Sequence, residues 1–252
     1  MAGIYVGNVY KNMSGHSQFK NIMYRKGAQD AKRAKVFAKI AREITVATKI
    51  GGADHTANPR LRAALAAARE QNMPKDNIER AMAKAIGGDD DAVYEEVRYE
   101  GYGPGAVAII VESLTDNRNR TASEVRSAFS KFGGNLGENG SVAFLFDRVG
   151  SLIYKNFVAS FDKMFDFAVE NGAEDVEESG GYTRITCPVD DFAKVRDAFV
   201  KKFGDPVESG LVWMPTSFII CPEEYKHTLM KLLDILEDND DVQKVFHNLN
   251  NE

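Results

Sequence analysis

Between Gly27 and about Ala47 the apolar residues Val36, Ile40, Ile44 and Ala47 recur at helical spacing, and Phe37 widens the stripe before Gly51-Gly52 ends the run. The pattern predicts an amphipathic helix. Asn58-Pro59 has the form of an N-cap and first helical residue, with Leu61, Ala64, Leu65 and Ala68 as the buried face of a second helix. A third starts at Pro74, carries Asp76 and Glu79 in its first turn, buries Ile78, Ala81, Met82 and Ala85, and stops at Gly87-Gly88. The alanine-rich faces predict a small, closely packed three-helix unit.

After the acidic run Asp89 to Asp91 the pattern changes to strands, glycine turns and short helices. Val107 to Leu114 reads as an apolar strand, Thr121-Ala-Ser-Glu124 as the capping box of a helix burying Val125, Ala128, Phe129 and Phe132, and Val142 to Phe146 as the returning strand. The next stretch reads βαββαβ, the ferredoxin-like order. Its parts are a strand at Leu152 to Tyr154, a helix from Phe157 to Asn171 with Phe161, Met164, Phe165 and Ala168 inward, and a hairpin of Val176 and Tyr182 to Cys187 turning at Gly180-Gly181. A helix from Val189 to Phe203 and a strand from Val207 to Trp213 complete it. Thr216 to Ile220, Pro222 to Leu236 and Val242 to Phe246 read as a further βαβ that completes the unit begun at Val107. The fold class expected is α+β: an N-terminal three-helix domain followed by two ferredoxin-like domains, one inserted into the other. The expected boundaries are an extension at 1–13, a basic helical domain at 14–88, a discontinuous α+β domain of 89–147 with 214–252, and an inserted α+β domain at 148–213.

Charge changes what these elements suggest. The 252-residue chain has a net charge of −5, yet residues 1–87 hold 16 Lys and Arg against six Asp and Glu, a net +10, and the remainder holds 16 against 31, a net −15. Such a chain attracts a polyanion at one end and repels it at the other. Lys32, Lys35, Lys39 and Arg42 fall on one stripe of the first helix, and Lys20, Arg25, Lys26 and Arg33 crowd around it with few acidic neighbours. A phosphate-facing surface is expected there. Arg118 and Arg120, in Asp116-Asn-Arg-Asn-Arg-Thr121, precede a helix N-terminus, where they either contact phosphate or RNA or brace Asp116 and the turn.

Other chemistry finds little support. Gly101-Tyr-Gly103-Pro-Gly105-Ala106 has the letters of a dinucleotide fingerprint, but a strand follows it and Pro104 lacks an N–H, so a rigid turn is expected. The four histidines are scattered, no metal or cofactor motif occurs, and no serine nucleophile elbow is present. Cys187 and Cys221 read as buried apolar side chains in a reducing cytoplasm. No apolar run is long enough to span a membrane, and the first residues lack the pattern of a secretory or mitochondrial leader. A non-enzymatic protein is expected, without cofactor or membrane.

An ordered set of runs resembles the YebC family, bacterial proteins described as transcriptional regulators and related to mitochondrial translational activators of cytochrome c oxidase. The runs are Ser14-Gly-His-Ser17, Arg25 to Arg33, Asn58-Pro-Arg60, Asn72 to Arg80, Tyr99 to Gly105, Thr115 to Thr121 and Gly137 to Val142. The resemblance implies a helical domain followed by two α+β domains and a role in gene expression, with the segment Lys20 to Arg42 as the nucleic-acid surface. Three features depart from the family pattern: family members usually begin at the equivalent of Met13, Tyr24 stands where His is usual, and Ala106 where Gly is usual. The target expected is DNA, as for a transcriptional regulator; the alternative is ribosomal or transfer RNA, as for a ribosome-associated translation factor. A further alternative is a ligand-sensing or docking module, with protein partners on the acidic C-terminal domains.

Overall fold

The computed structural model describes residues 29–87 and 92–250. Its elements, in chain order, are α1 (Gln29–Gly51), α2 (Pro59–Glu70), α3 (Lys75–Ile86), β1 (Glu95–Tyr102), β2 (Ala108–Thr115), α4 (Arg118–Lys131), β3 (Asn135–Leu136), β4 (Phe146–Lys155), α5 (Phe161–Asn171), β5 (Asp175–Ser179), β6 (Tyr182–Cys187), α6 (Phe192–Phe203), β7 (Glu208–Pro215), α7 (Glu223–Asp238) and β8 (Val242–His247). The class is α+β, with a helical N-terminal region followed by two antiparallel four-stranded sheets.

The helical region is joined at Asn58. Its Oδ1 accepts from Leu61 N–H at 3.0 Å as the N-cap of α2, while its Nδ2 donates to Ala47 O and Gly52 O, both at 2.8 Å, closing the end of α1. The side chain fits because Gly51 lacks a Cβ, which would stand 2.6 Å from Nδ2. Ile44, Ala47, Leu61, Ala64, Ala68, Met73 and Ala81 then form a small core whose alanines let the helices approach closely.

The first sheet has the order β3-β1-β2-β8, and the second β5-β6-β4-β7; the strand pairs in both are antiparallel. The second is β4-α5-β5-β6-α6-β7, the ferredoxin-like order, and Gly180-Gly181 turn its hairpin at φ 58 and 85. One face carries α5 and α6, whose Met164, Ala168, Val195 and Phe199 pack with Leu152, Tyr154 and Ile185 of the sheet. In the first sheet β2 is buried on both sides. Ile109 and Val111 pack with Val125, Phe129, Leu229 and Leu232 of α4 and α7, whereas Ala108 and Ile110 share a cluster with Phe146, Val212 and Phe246. That second cluster joins the two sheets. Beside it, the guanidinium groups of Arg98 and Arg148 lie 4.8 and 5.0 Å from the ring centre of Trp213, which donates Nε1–H to Glu112 at 3.0 Å.

Several expected elements differ. The strand β1 was not expected, because in Glu95-Glu-Val-Arg-Tyr-Glu100 only Val97 and Tyr99 alternate as apolar residues among charges. Its charges are satisfied by the fold instead: Arg60 pairs with Glu96 at 2.7 Å, and Glu100 is buried under backbone N–H groups. Opening with the β1–β2 hairpin, the first sheet is not assembled from two βαβ halves. Residues Ala143–Leu145 form a 3-10 turn, and β4 runs unbroken from Phe146 through Leu152 to Lys155. Thr216 to Ile220 forms no strand, only an isolated parallel bridge between Ile219 and Leu249. Finally, α4 starts at Arg118 and not at the Thr121 capping box, since Asn117 Oδ1 accepts from Arg120 N–H and caps it first.

Candidate nucleic-acid interface

The stripe on α1 faces the end of α7. That helix has no basic residue in its own last turn, so its final carbonyls and their partial negative charge need donors from elsewhere. Lys39 Nζ donates to Glu237 O at 2.5 Å, and Lys35 Nζ to Asp238 O at 3.0 Å, with the Asp238 carboxylate 3.6 Å away. One to two turns on, Arg42 donates to Asp240 O at 2.7 Å, Leu114 O at 3.1 Å and Asp241 Oδ1 at 3.0 Å. Its guanidinium also lies 5.7 Å from the centre of the Tyr94 ring. Three of the expected phosphate ligands therefore hold the helical region against the acidic turn Glu237 to Asp241.

Asp241 is the centre of this joint. Its Oδ2 accepts from Arg120 Nη2 at 2.7 Å, the Thr121 hydroxyl at 2.7 Å and the Thr115 hydroxyl at 3.1 Å. Burial pushes its carboxyl up, but the bonds from Arg120, Thr121 and Thr115 outweigh this and hold it below the usual carboxylate value. Arg120 also pairs with Asp116 at 2.8 Å, and its pKa is raised by its bonds to Asp241 and then Asp116. Of the two roles open to Arg120, this geometry is the bracing one. Arg118 differs: it is exposed at the start of α4, and its guanidinium has no ion pair among the described residues.

Arg33 is exposed near the beginning of α1, its guanidinium 5.3 Å from the Phe37 ring centre, and the Lys35 side chain keeps 43% of its surface in solvent. The side chain of Lys32, and all of Lys20, Arg25 and Lys26, lie outside the described residues. Of the expected site residues that are described, Arg33, part of Lys35, and Arg118 are open to an incoming polyanion, while Lys39, Arg42 and Arg120 serve the joint. Asp241, Thr115 and Thr121 were not expected there. The acidic run Glu237-Asp-Asn-Asp-Asp241 was the visible signal, since its charge is opposite to that of the basic stripe.

The Tyr99 to Gly105 and Gly137 to Val142 runs build a scaffold next to β1. Glu100 Oε2 accepts from Val142 and Ala143 N–H at 3.0 and 2.9 Å, and Oε1 from Arg98 Nε at 2.9 Å. Burial pushes the Glu100 carboxyl up, but N–H groups from Gly140, Val142 and Ala143, together with Arg98, bring it below its usual value. Gly103 to Val107 forms the tight turn expected in place of a nucleotide loop, closed by Gly103 N–H donating to Val107 O at 2.8 Å. Gly105 takes φ 73 there and has no room for a Cβ, which would come within 2.7 Å of Cys221 Sγ. Cys221 and Cys187 are both buried, and burial pushes their thiols up, Cys187 to about 11. Among the described residues no group of His, Cys, Asp and Glu is arranged to hold a metal ion, and no helix is long and apolar enough to cross a membrane.

Residues 17–88 match the family model described as the TACO1/YebC protein N-terminal domain, and residues 94–249 match the transcription-regulator model described as the TACO1/YebC second and third domain. Among solved structures, the chain is similar to a conserved hypothetical protein from Aquifex aeolicus. The two are 42% identical, with a TM-score of 0.79 over 88% of this chain and 91% of that one.

Proposed function

Starting from the chain's membership of the TACO1/YebC family, shown by the two models that together span most of its length, we propose that it is a non-enzymatic regulator of gene expression that binds nucleic acid through phosphate contacts from the basic end of its helical region. One observation carries the proposal: α1 keeps Arg33 in solvent just after the basic segment with Lys20, Arg25, Lys26 and Lys32, beyond the point where Lys35 and Lys39 reach α7. Phosphate contacts of this kind position a nucleic acid without reading its bases.

Two targets fit the family: promoter DNA, as for a transcriptional regulator, and ribosomal or transfer RNA, as for a translation factor. The docking of α1 favours RNA. A helix that reads DNA lays an exposed face along the major groove. Here the face with Lys35, Lys39 and Arg42 is engaged by the acidic turn, which leaves separate cations at Arg33 and Arg118 that suit an irregular backbone. A cytoplasmic protein with two free buried thiols is consistent with either target.

Sedimentation of the protein from cell lysate through sucrose, with and without RNase and at low and high salt, tests both readings. Co-migration with ribosomes that RNase and salt disrupt is the expected result. Migration with free protein under every condition, together with salt-sensitive retention on duplex DNA, would support the transcriptional reading instead.

A further inference from the structure

The helix α5 buries Met164 and Ala168, and Phe167 packs edge-on against Phe199 and Phe203 with ring centres 5.1 and 5.3 Å apart. The flank beside that buried face, where the sequence pattern places Phe161 and Phe165 inward, is apolar but not covered. Phe161, Phe165 and Val169 stand one turn apart with 37, 45 and 62% of their surface exposed, the first two rings are stacked at 5.9 Å, and Phe157 in the preceding turn is exposed as well. An exposed row of this size on a small domain indicates a contact surface.

A second row identifies the partner. Asp162, Asp166 and Glu170 each follow one residue after an apolar neighbour, at the same four-residue interval, and all three are exposed. None has an ion pair with another described residue. The face is therefore a pair of parallel ridges, one apolar and one anionic, and ridges four residues apart are what an incoming helix packs between. The geometry points to a docking surface for a basic amphipathic helix of another protein, its apolar row seated on Phe161, Phe165 and Val169 and its Lys or Arg row on the three carboxylates.

The anionic row argues against other occupants. With three carboxylates against the neighbouring Lys163 and Lys202, it disfavours nucleic acid and acidic lipid, and two copies of this face packed on each other would set carboxylates against carboxylates. A helix-in-groove contact of this kind gains affinity from the aromatic row and selects its partner by charge.

The test uses the full chain and three labelled 18-residue peptides: a Leu/Lys peptide with both residue types in rows four apart, the same peptide with Glu for Lys, and a scrambled Leu/Lys peptide. Fluorescence anisotropy is expected to show saturable binding of the first alone. Phe165→Ser and the double change Asp166→Lys, Glu170→Lys should each weaken it at least tenfold, and the double variant should now bind the Glu peptide. Because all these side chains are exposed, thermal melts should stay within a few degrees of the parent. Equal binding of the scrambled peptide, unchanged affinity in either variant, or no binding by the parent chain would overturn the inference. So would concentration-dependent self-association lost in Phe165→Ser, which would assign the face to a second copy.

Discussion

Asp241 accepts hydrogen bonds from Arg42, Arg120, Thr115 and Thr121, which come from α1, α4 and the end of β2. Its folded-state pKa lies below the unfolded value of about 3.9, so its stabilisation is complete above that pH and is lost as pH falls through the folded value. His247 acts in a higher window. Burial in β8 pushes its ring down to about 4, and its Nδ1 has no hydrogen-bond partner among the described residues. From about pH 6.5 to 4 the unfolded chain binds a proton there that the folded chain does not, so stability falls as pH falls, by about 3 kcal/mol at most. Urea midpoints measured from pH 8 to 3 should separate the two groups. His247→Leu is expected to flatten the slope between pH 6.5 and 4, whereas Asp241→Asn should lower stability by about 2 kcal/mol at neutral pH and act on the slope only below about pH 4. Ala106 offers a third residue-level check. It holds φ 60, a left-handed conformation that costs a residue with a Cβ about 1 kcal/mol. Ala106→Gly should relieve that strain less the added freedom of the unfolded chain, a gain of about 0.5 kcal/mol in a denaturant melt.

At the scale of elements, the association of α1 with α7 follows from a deficit in each. The last turn of α7 has carbonyls and acidic residues but no cation, and α1 has cations in excess of the acidic residues on its own face. Lys39→Glu should place a carboxylate against Glu237 O and beside Asp238. It is expected to cost about 1–2 kcal/mol and to speed amide exchange across Glu237 to Asp241, an effect Lys39→Gln should show only weakly. Elements with a strong local signal were legible in the sequence. Asn58-Pro59 caps α2 as expected, Gly180-Gly181 turns the β5–β6 hairpin, and the apolar positions of α7 face the first sheet. The strand β1 was not legible, because its side chains are mostly charged and its place between β2 and β3 depends on partners distant in sequence. The N-terminus of α4 was misread for a related reason. Both Asn117 and Thr121 have cap-forming side chains; Asn117 takes the cap, and the Thr121 hydroxyl is engaged instead by Asp241, Thr115 and the Asn117 carbonyl.

For the whole molecule, the division into a +10 segment and a −15 remainder is partly cancelled inside the fold, at the contact of α1 with the acidic turn. The counterions released on nucleic-acid binding should therefore be fewer than the basic residues of 1–87 suggest. On the proposed phosphate-binding reading, a plot of log affinity against log salt for an RNA target should lose about one unit of slope on Arg33→Ala and keep its slope on Arg120→Ala. An equal loss for both would mean that the Arg120 ion pairs open on binding.

The amino-acid sequence by itself determined the helical start, the ferredoxin-like order of β4 to β7, the glycine turns and the opposed charges of the two ends. Each of these depends on local periodicity, capping or composition, which neighbouring residues carry. Tertiary structure decided which cations remain in solvent, where the charged strand β1 lies and why Asp241 matters. Those outcomes depend on pairings such as Arg42 with Asp241 and Lys39 with Glu237, almost 200 residues apart. A basic stripe has the same sequence pattern whether it faces phosphate or the end of another helix, and only the packed chain distinguishes the two.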